Sequence, residues 1–450
     1  MRCNIPMTAV IYPMFGNLRQ PYCCFYHRFR PFNQKDVNML YQFHELNRAF
    51  LTPLTQWAEA SSKLFTNPVS PLAHTPYSQR IAAGYELLYR LGKDYEKPSF
   101  GITETHINDG QVVEVAQSAA VIKPFCRLLH FKKILSDKDA AKLKQPKVLL
   151  VAPLSGHHST LLRDTVKGLL PRHDVYITDW TDARMVPLSE GRFHLHDYIY
   201  YVQEFIRLLG PDVHVISVCQ PTVPVLAAIS LMATDNDPKL PKSMTMMGGP
   251  IDPRKSPTQV NTLATEKSFS WFENTVIYSV PANYPGYGRK VYPGFLQHAG
   301  FVAMNPDRHA QSHWDYYQHL VQGDDESAEQ HRRFYDEYNA VLDMPADYYL
   351  ETIKTVFQEF RLPKGTWEVE GKPVRPQDIK TVALFTVEGE LDDISGPGQT
   401  QAAHTLCSGI PVHMKQDFVA PGAGHYGIFS GRRWREMICP KIGDFISKHS

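Results

Sequence analysis

The chain has 450 residues, 43% of them apolar and 21% charged. That length suits two or three domains, or one large domain with an insertion. Its 47 basic and 46 acidic residues leave a net charge of +1, too small a field to attract nucleic acid or an anionic membrane surface. No run of 18 apolar residues occurs, so no membrane span is expected.

Residues 1–38 differ from the rest. They hold Arg2, Arg19, Arg28 and Arg30 and no acid before Asp36. They lack both helical periodicity and the continuous apolar core of a secretory signal. They are expected to be a disordered or wrongly assigned leader, with translation starting at Met39; a surface-binding arm is the alternative. Residues 39–110 form an N-terminal helical region. A helix is expected over 40–67, with Leu40, Phe43, Leu46, Phe50, Leu54 and Trp57 on one face and Pro53 placed to kink it. A second is expected over 77–93, with Ile81, Tyr85, Leu88 and Leu91 at helical spacing.

Strands are expected at 112–115 and 125–131, and then the rhythm changes. Strands at 148–152, 174–180, 213–218 and 243–247 alternate with helices at 159–170, 195–209 and 222–232. Such alternation implies a parallel sheet with right-handed crossovers. It stops at Gly248-Gly249-Pro250. Residues 251–378 read as an inserted cap, with a helix at 343–360 and a hairpin at 366–374 turning at Glu370-Gly371. Between residues 269 and 349 lie 17 aromatics, a concentration well above the chain's 12%. The sheet resumes at 381–387 and 412–419, and a helix over 432–447, interrupted by Pro440, closes the chain. The core is therefore 111–250 together with 379–450.

The stretch Ser217-Val218-Cys219-Gln220-Pro221 joins the strand at 213–218 to the following helix. A reactive side chain on a sharp strand–helix turn is a nucleophile elbow, and the helix N-terminus behind it favours a thiolate. The usual Gly-x-Ser-x-Gly reads here Ser217-x-Cys219-x-Pro221. Proline is tolerated in a first helical turn, and the Gln220 N–H remains free to face an oxyanion. A buried, inert cysteine is the competing reading. Two loops decide between them. Glu388-Gly389-Glu390-Leu391-Asp392-Asp393-Ile394 follows the penultimate strand, and Pro421-Gly422-Ala423-Gly424-His425-Tyr426-Gly427 follows the last. The order nucleophile, acid, base is that of the α/β-hydrolase fold. His425 would take the thiol proton and return it to the leaving alcohol. An aspartate would hold the imidazole tautomer. Asp392 and Asp393 both remain candidates, because neighbours in an extended loop face opposite ways. A second oxyanion donor is expected from the backbone of Leu154 or Ser155. His157-His158 has no third ligand at useful spacing, so no metal is expected. The seven cysteines, Cys3, Cys23, Cys24, Cys126, Cys219, Cys407 and Cys439, form no metal pattern either, and free thiols in a cytoplasmic protein are expected.

From Met39 onward the chain resembles the intracellular poly(3-hydroxybutyrate) depolymerases. The resemblance is carried by Tyr85-Glu86-Leu87-Leu88-Tyr89-Arg90-Leu91-Gly92-Lys93, Pro153-Leu154-Ser155-Gly156-His157-His158, the Cys219 elbow, Met246-Met247-Gly248-Gly249-Pro250-Ile251-Asp252, Glu388-Gly389-Glu390-Leu391-Asp392-Asp393 and Gly424-His425-Tyr426-Gly427. It implies a Cys219–His425–Asp392 triad; related polyester synthases carry an acid just before a His-Ile pair, a slot filled here by Asp392. It also implies a cytoplasmic, granule-associated enzyme without a cofactor. Such an enzyme cleaves amorphous polyester through an acyl-enzyme and releases 3-hydroxybutyrate monomer or oligomers. The acyl acceptor, water or coenzyme A, stays open, as does a homo-oligomeric state. Trp271, Tyr284, Tyr287 and Trp314 are the first candidates for contact with an apolar polymer. A polyester synthase, which should carry Gly-x-Cys-x-Gly, and a non-catalytic granule-coat protein are the alternatives.

Overall fold

The computed structural model describes residues 34–107, 110–136, 139 and 143–450. Residues 1–33 of the expected leader lie outside the described residues, and the first helix already runs at Gln34. Helices α1 (Gln34–Thr66) and α2 (Ser78–Gly92) pack side by side. The apolar stripe read from the sequence is only marginally the face they share, through Trp57 edge-on to Tyr85 at 5.1 Å. Phe43, Leu46, Leu54 and Trp57 are exposed, and Phe50 is 80% exposed. Apart from Tyr41, the buried residues are small or polar, among them Thr55, Ala58, Ser61 and Ser62 on α1 and Ala82 and Ala83 on α2. Short side chains let the two backbones approach, and Ser62 Oγ donates to the Ala82 carbonyl at 3.1 Å. Pro53 sits within α1, which continues through it.

The chain then enters a sheet through β1 (Glu104–Ile107), β2 (Gln111–Ile122), β3 (Cys126–Lys133) and β4 (Lys147–Val151). Helix α3 (Arg163–Leu169), β5 (Asp174–Trp180), α4 (Leu195–Leu209), β6 (Val213–Val218), α5 (Thr222–Thr234) and β7 (Ser243–Met247) follow in strict alternation. β6 is a β-branched run buried at every position, as a strand covered on both faces requires. α5 is apolar all round and buried from Thr222 to Ala233, the pattern of a helix inside a core.

After β7 the chain leaves the sheet. The insertion holds α6 (Gln259–Glu266), α7 (Phe269–Thr275), β8 (Tyr278–Ser279), β9 (Lys290–Tyr292), α8 (Gly294–Met304), α9 (Pro306–Gln322), α10 (Asp325–Tyr338), β10 (Met344–Pro345) and α11 (Ala346–Thr352). The helix expected over 343–360 is thus split: α11 opens into a wider π-helical turn over Ile353–Gln358. The expected hairpin is present as β11 (Glu368–Val369) and β12 (Lys372–Pro373). Glu370 and Gly371 have φ of 47° and 79°, the pair of positive values that a two-residue turn needs.

The sheet resumes with β13 (Ala383–Gly389) and β14 (Lys415–Ala420), and α12 (Cys439–Lys448) covers it. β14 starts later than its sequence run, because Val412–Met414 is taken up in a 3-10 turn. The strand order is β1-β2-β3-β5-β4-β6-β7-β13-β14. β3 is antiparallel to both neighbours, and from β5 to β14 every pairing is parallel. This is the α/β-hydrolase sheet. β6 and β7 sit near its centre with their carboxyl ends on one edge, where open α/β sheets place their sites.

Candidate active site

Cys219 directly follows β6 and has φ of 69°. A non-glycine residue at positive φ is strained, and here the strain fixes the sharp turn into α5. The Cys219 N–H donates to the Met247 carbonyl at 2.7 Å, and the Cys219 carbonyl accepts from the Thr222 N–H at 3.1 Å. Two glycines after β7 make room for this turn. A Cβ on Gly249 would lie 2.4 Å from the Cys219 carbonyl oxygen and 1.9 Å from Thr222 Oγ1. A Cβ on Gly248 would lie 2.5 Å from Ile428 and 3.3 Å from Asp392 Oδ2.

Asp392 is the member of its pair that faces the imidazole. Its Oδ2 accepts from His425 Nδ1 at 2.8 Å. Its Oδ1 accepts the backbone N–H groups of Ile394 at 2.9 Å and Ser395 at 2.8 Å. Asp393 is exposed. With Nδ1 bound to Asp392, His425 has Nε2 left for Cys219, and both residues line one cavity. Burial works against a charged imidazole, but the negative charges of Cys219 and Asp392 outweigh it and hold His425 well above its usual 6.5.

Leu154, Ser155 and Gln220 also line the cavity. Among the described residues, none of their N–H groups donates to another protein group. The Gln220 side chain is tied to the insertion, because Tyr348 Oη donates to Gln220 Oε1 at 2.7 Å. Tyr348 is fully buried, which pushes its phenol far above 10 and keeps it a donor.

The cavity holds about 300 Å³. Its walls are apolar and aromatic, chiefly Phe272, Tyr292, Phe301, Tyr349, Phe357 and Phe429. The insertion thus supplies most of the aromatics of the site, with Tyr426 and Phe429 coming from the loop after β14, but not the four singled out from the sequence. Trp271 packs edge-on against Phe272 at 5.1 Å. The Tyr284 hydroxyl donates to Glu45 at 3.0 Å. Tyr287 and Trp314 are exposed, and Trp314 stacks on Tyr317. None of the four lines the cavity. Composition located the aromatic segment; which ring faces inward depends on how α7, α8 and α11 fold back over β6. Tyr348 and Gln297 carried no local signal at all.

His157 Nε2 pairs with the Tyr338 carbonyl at 3.2 Å. A different set, His194, His196 and Glu351, brings ligand atoms within 4.8 Å of one another. Glu351 there accepts from the Leu195 N–H at 2.8 Å and pairs with His194 Nδ1 at 2.7 Å, so hydrogen bonding at the start of α4 accounts for the cluster. Its third member is distant in sequence and was not legible there.

Residues 248–450 match the family described as PHB de-polymerase C-terminus. No curated protein sequence matches the chain. Among solved structures, the chain is similar to a monoacylglycerol lipase from Paleococcus ferrophilus, with 15% identity over 68% of this chain and 97% of the other and a TM-score of 0.41. It is also similar to 2-hydroxy-6-oxo-6-phenylhexa-2,4-dienoate hydrolase from Rhodococcus sp. strain RHA1, with 12% identity, 74% and 99% coverage and a TM-score of 0.39. A third is an esterase from Thermogutta terrifontis, with 13% identity, 78% and 98% coverage and a TM-score of 0.37. Residues 248–450, which hold the insertion, the acid and the base, are thus similar to the C-terminal part of the PHB de-polymerases.

Proposed function

We propose that the protein is an ester hydrolase that depolymerises poly(3-hydroxybutyrate), with Cys219 as nucleophile. The observation that carries this reading is the strained Cys219 turn opening into the same apolar cavity as the His425–Asp392 pair. The Cys219 sulfur attacks an ester carbonyl, and His425 holds the thiol proton. Charge develops on the carbonyl oxygen towards the N–H groups of Gln220 and of Leu154 or Ser155. The C–O bond then breaks, and His425 Nε2 protonates the departing alcohol. A thioester remains on Cys219. Water, deprotonated by His425, attacks it and frees the hydroxy acid; coenzyme A in place of water would leave a thioester product. Asp392 holds the imidazole in the required tautomer throughout.

The cavity suits a chain of small ester units. Phe50, Trp57, Tyr287 and Trp314 present apolar surface to an insoluble polymer, which supports association with cytoplasmic polyester granules. Among the described residues, no helix is long and apolar enough to cross a membrane. The test is Cys219→Ala assayed on native amorphous granules, with products identified by mass spectrometry with and without coenzyme A. Hydrolysis should fall to background while the melting temperature changes little. Retention of more than a few per cent of the rate would remove Cys219 from the chemistry.

A further inference from the structure

We infer that Gln297 reads the hydroxyl end of the substrate: its Oε1 accepts a hydrogen bond from the free hydroxyl of a hydroxyacyl unit whose carbonyl lies at Cys219. The assignment rests on the ester-cleaving role proposed above. Gln297 lies on α8, is 3% exposed and forms part of the cavity wall. Its Nε2 donates to the carbonyls of Tyr292 at 2.8 Å and Leu342 at 3.0 Å. Both partners can only accept, so the orientation of the amide is fixed. Oε1 is left buried with no partner. An unpaired buried acceptor is costly and calls for a ligand or a water. Its position is informative. A Cβ on Gly156 would lie 2.8 Å from Gln297 Oε1, and Gly156 directly follows Ser155, a candidate oxyanion donor. An acceptor beside the oxyanion loop suits a hydroxyl carried a short way along the chain from the carbonyl under attack.

The chemistry selects the chain end. An interior polyester unit offers ester oxygens, which only accept. The unit at the free-hydroxyl end alone brings an O–H for Oε1. The opposite need is met in the same cavity: Gln220 Oε1 is taken by Tyr348, and Gln220 Nε2 is buried without a partner, available to an ester oxygen. The Tyr292 and Tyr349 hydroxyls in the wall can donate or accept, whereas Gln297 Oε1 only accepts. Cleavage therefore proceeds from the hydroxyl end and releases one hydroxy acid at a time.

The test uses the full chain and three soluble p-nitrophenyl esters, of 3-hydroxybutyrate, 3-methoxybutyrate and butyrate. The first should exceed the other two in kcat/KM by on the order of tenfold or more. In Gln297→Met, checked for folding by its thermal melt, the ratio should collapse towards one. A second arm does not depend on the variant: wild-type protein should release monomer from short 3-hydroxybutyrate oligomers with free hydroxyl ends much faster than from those with methylated ends. Equal rates on the three esters, equal rates on free and capped oligomers, or an undiminished ratio in folded Gln297→Met would each overturn the assignment while leaving ester cleavage intact. If none of the esters and no polymer is cleaved, the role of the site falls, and this assignment with it.

Discussion

Burial alone would strip the proton from His425, yet Cys219 and Asp392 hold its pKa well above 6.5. The sign of the pH dependence follows. A group whose native pKa is raised stabilises the fold fully below its unfolded value and loses that contribution as pH rises through the native one. The native state therefore favours the imidazolium. Asp392→Asn removes one of the two charges that hold it, so the titration of His425, followed by NMR, should move to lower pH. Turnover should fall by about three orders of magnitude, because the wrong tautomer is then favoured. Asp393→Asn should stay close to wild type, since that side chain faces solvent. The opposite ranking would assign the acid to Asp393. The positions of Cys219, His425 and the Asp392-Asp393 pair were legible in the sequence because each sits just past a strand whose pattern is complete in itself; the choice within the pair was not, since it turns on which carboxyl faces the imidazole. Gln297 was not, because its meaning lies in carbonyls that only the folded insertion brings to it.

At the scale of elements, the elbow works because two glycines follow β7. Gly249→Ala would drive a methyl group into Thr222 Oγ1 and the Cys219 carbonyl. Overpacking of this kind costs about 1–3 kcal/mol, and the strain falls on the turn that aims the sulfur. We expect a lower melting temperature together with a loss of activity larger than the loss of fold explains. Unchanged alkylation of Cys219 and unchanged turnover in this variant would show that the turn tolerates the shift. Tyr348→Phe addresses the link between the insertion and the elbow. It removes the hydrogen bond to Gln220 Oε1 and leaves the ring packed against Tyr198. Stability should fall by about 1 kcal/mol. kcat should fall by roughly tenfold, with KM little changed, if the bond holds the Gln220 N–H in register; a change confined to KM would make Tyr348 a binding residue. β5, α4, β6 and β7 could be read from periodicity to the residue, since each pattern is local. The two-residue strands β8 and β10 have no periodicity to read. The buried face of α1 departs from the apolar stripe because the close helix–helix contact there is made by serine and alanine, with Trp57 and Phe65 meeting Tyr85 at its margin.

The whole molecule is joined at a buried cluster that no local pattern announces. Tyr41 on α1 donates to Asp343 Oδ2 at 2.7 Å. Asp343, just before β10 of the insertion, takes the Gly294 N–H on Oδ1 at 2.8 Å. Asp182, in the loop after β5, accepts the Arg184 N–H at 3.0 Å and the Asp343 N–H at 3.3 Å, and its Oδ2 pairs with Arg184 Nε at 2.9 Å. One cluster thus fastens the N-terminal helices, the insertion and the sheet domain to one another. Burial, and then the charge of Asp343, push the Asp182 carboxyl up to about 7, although Arg184 pulls the other way. Asp343 is raised as well, first by burial. A carboxyl raised in the native state contributes stability that is complete below its unfolded pKa of 3.8 and is lost as pH rises through about 7. Several buried histidines impose the reverse slope: His157 and His173 are lowered to about 4, mainly by burial, so their contribution is lost on acidification. The raw pH dependence of unfolding mixes the two, and a difference measurement separates them. Asn at 182 keeps the shape and cannot ionise. The stability of wild type minus that of Asp182→Asn, from denaturant unfolding, should fall as pH is taken from about 5 to about 8. A difference that stays flat over this interval would mean that Arg184 wins and the carboxylate is the native form.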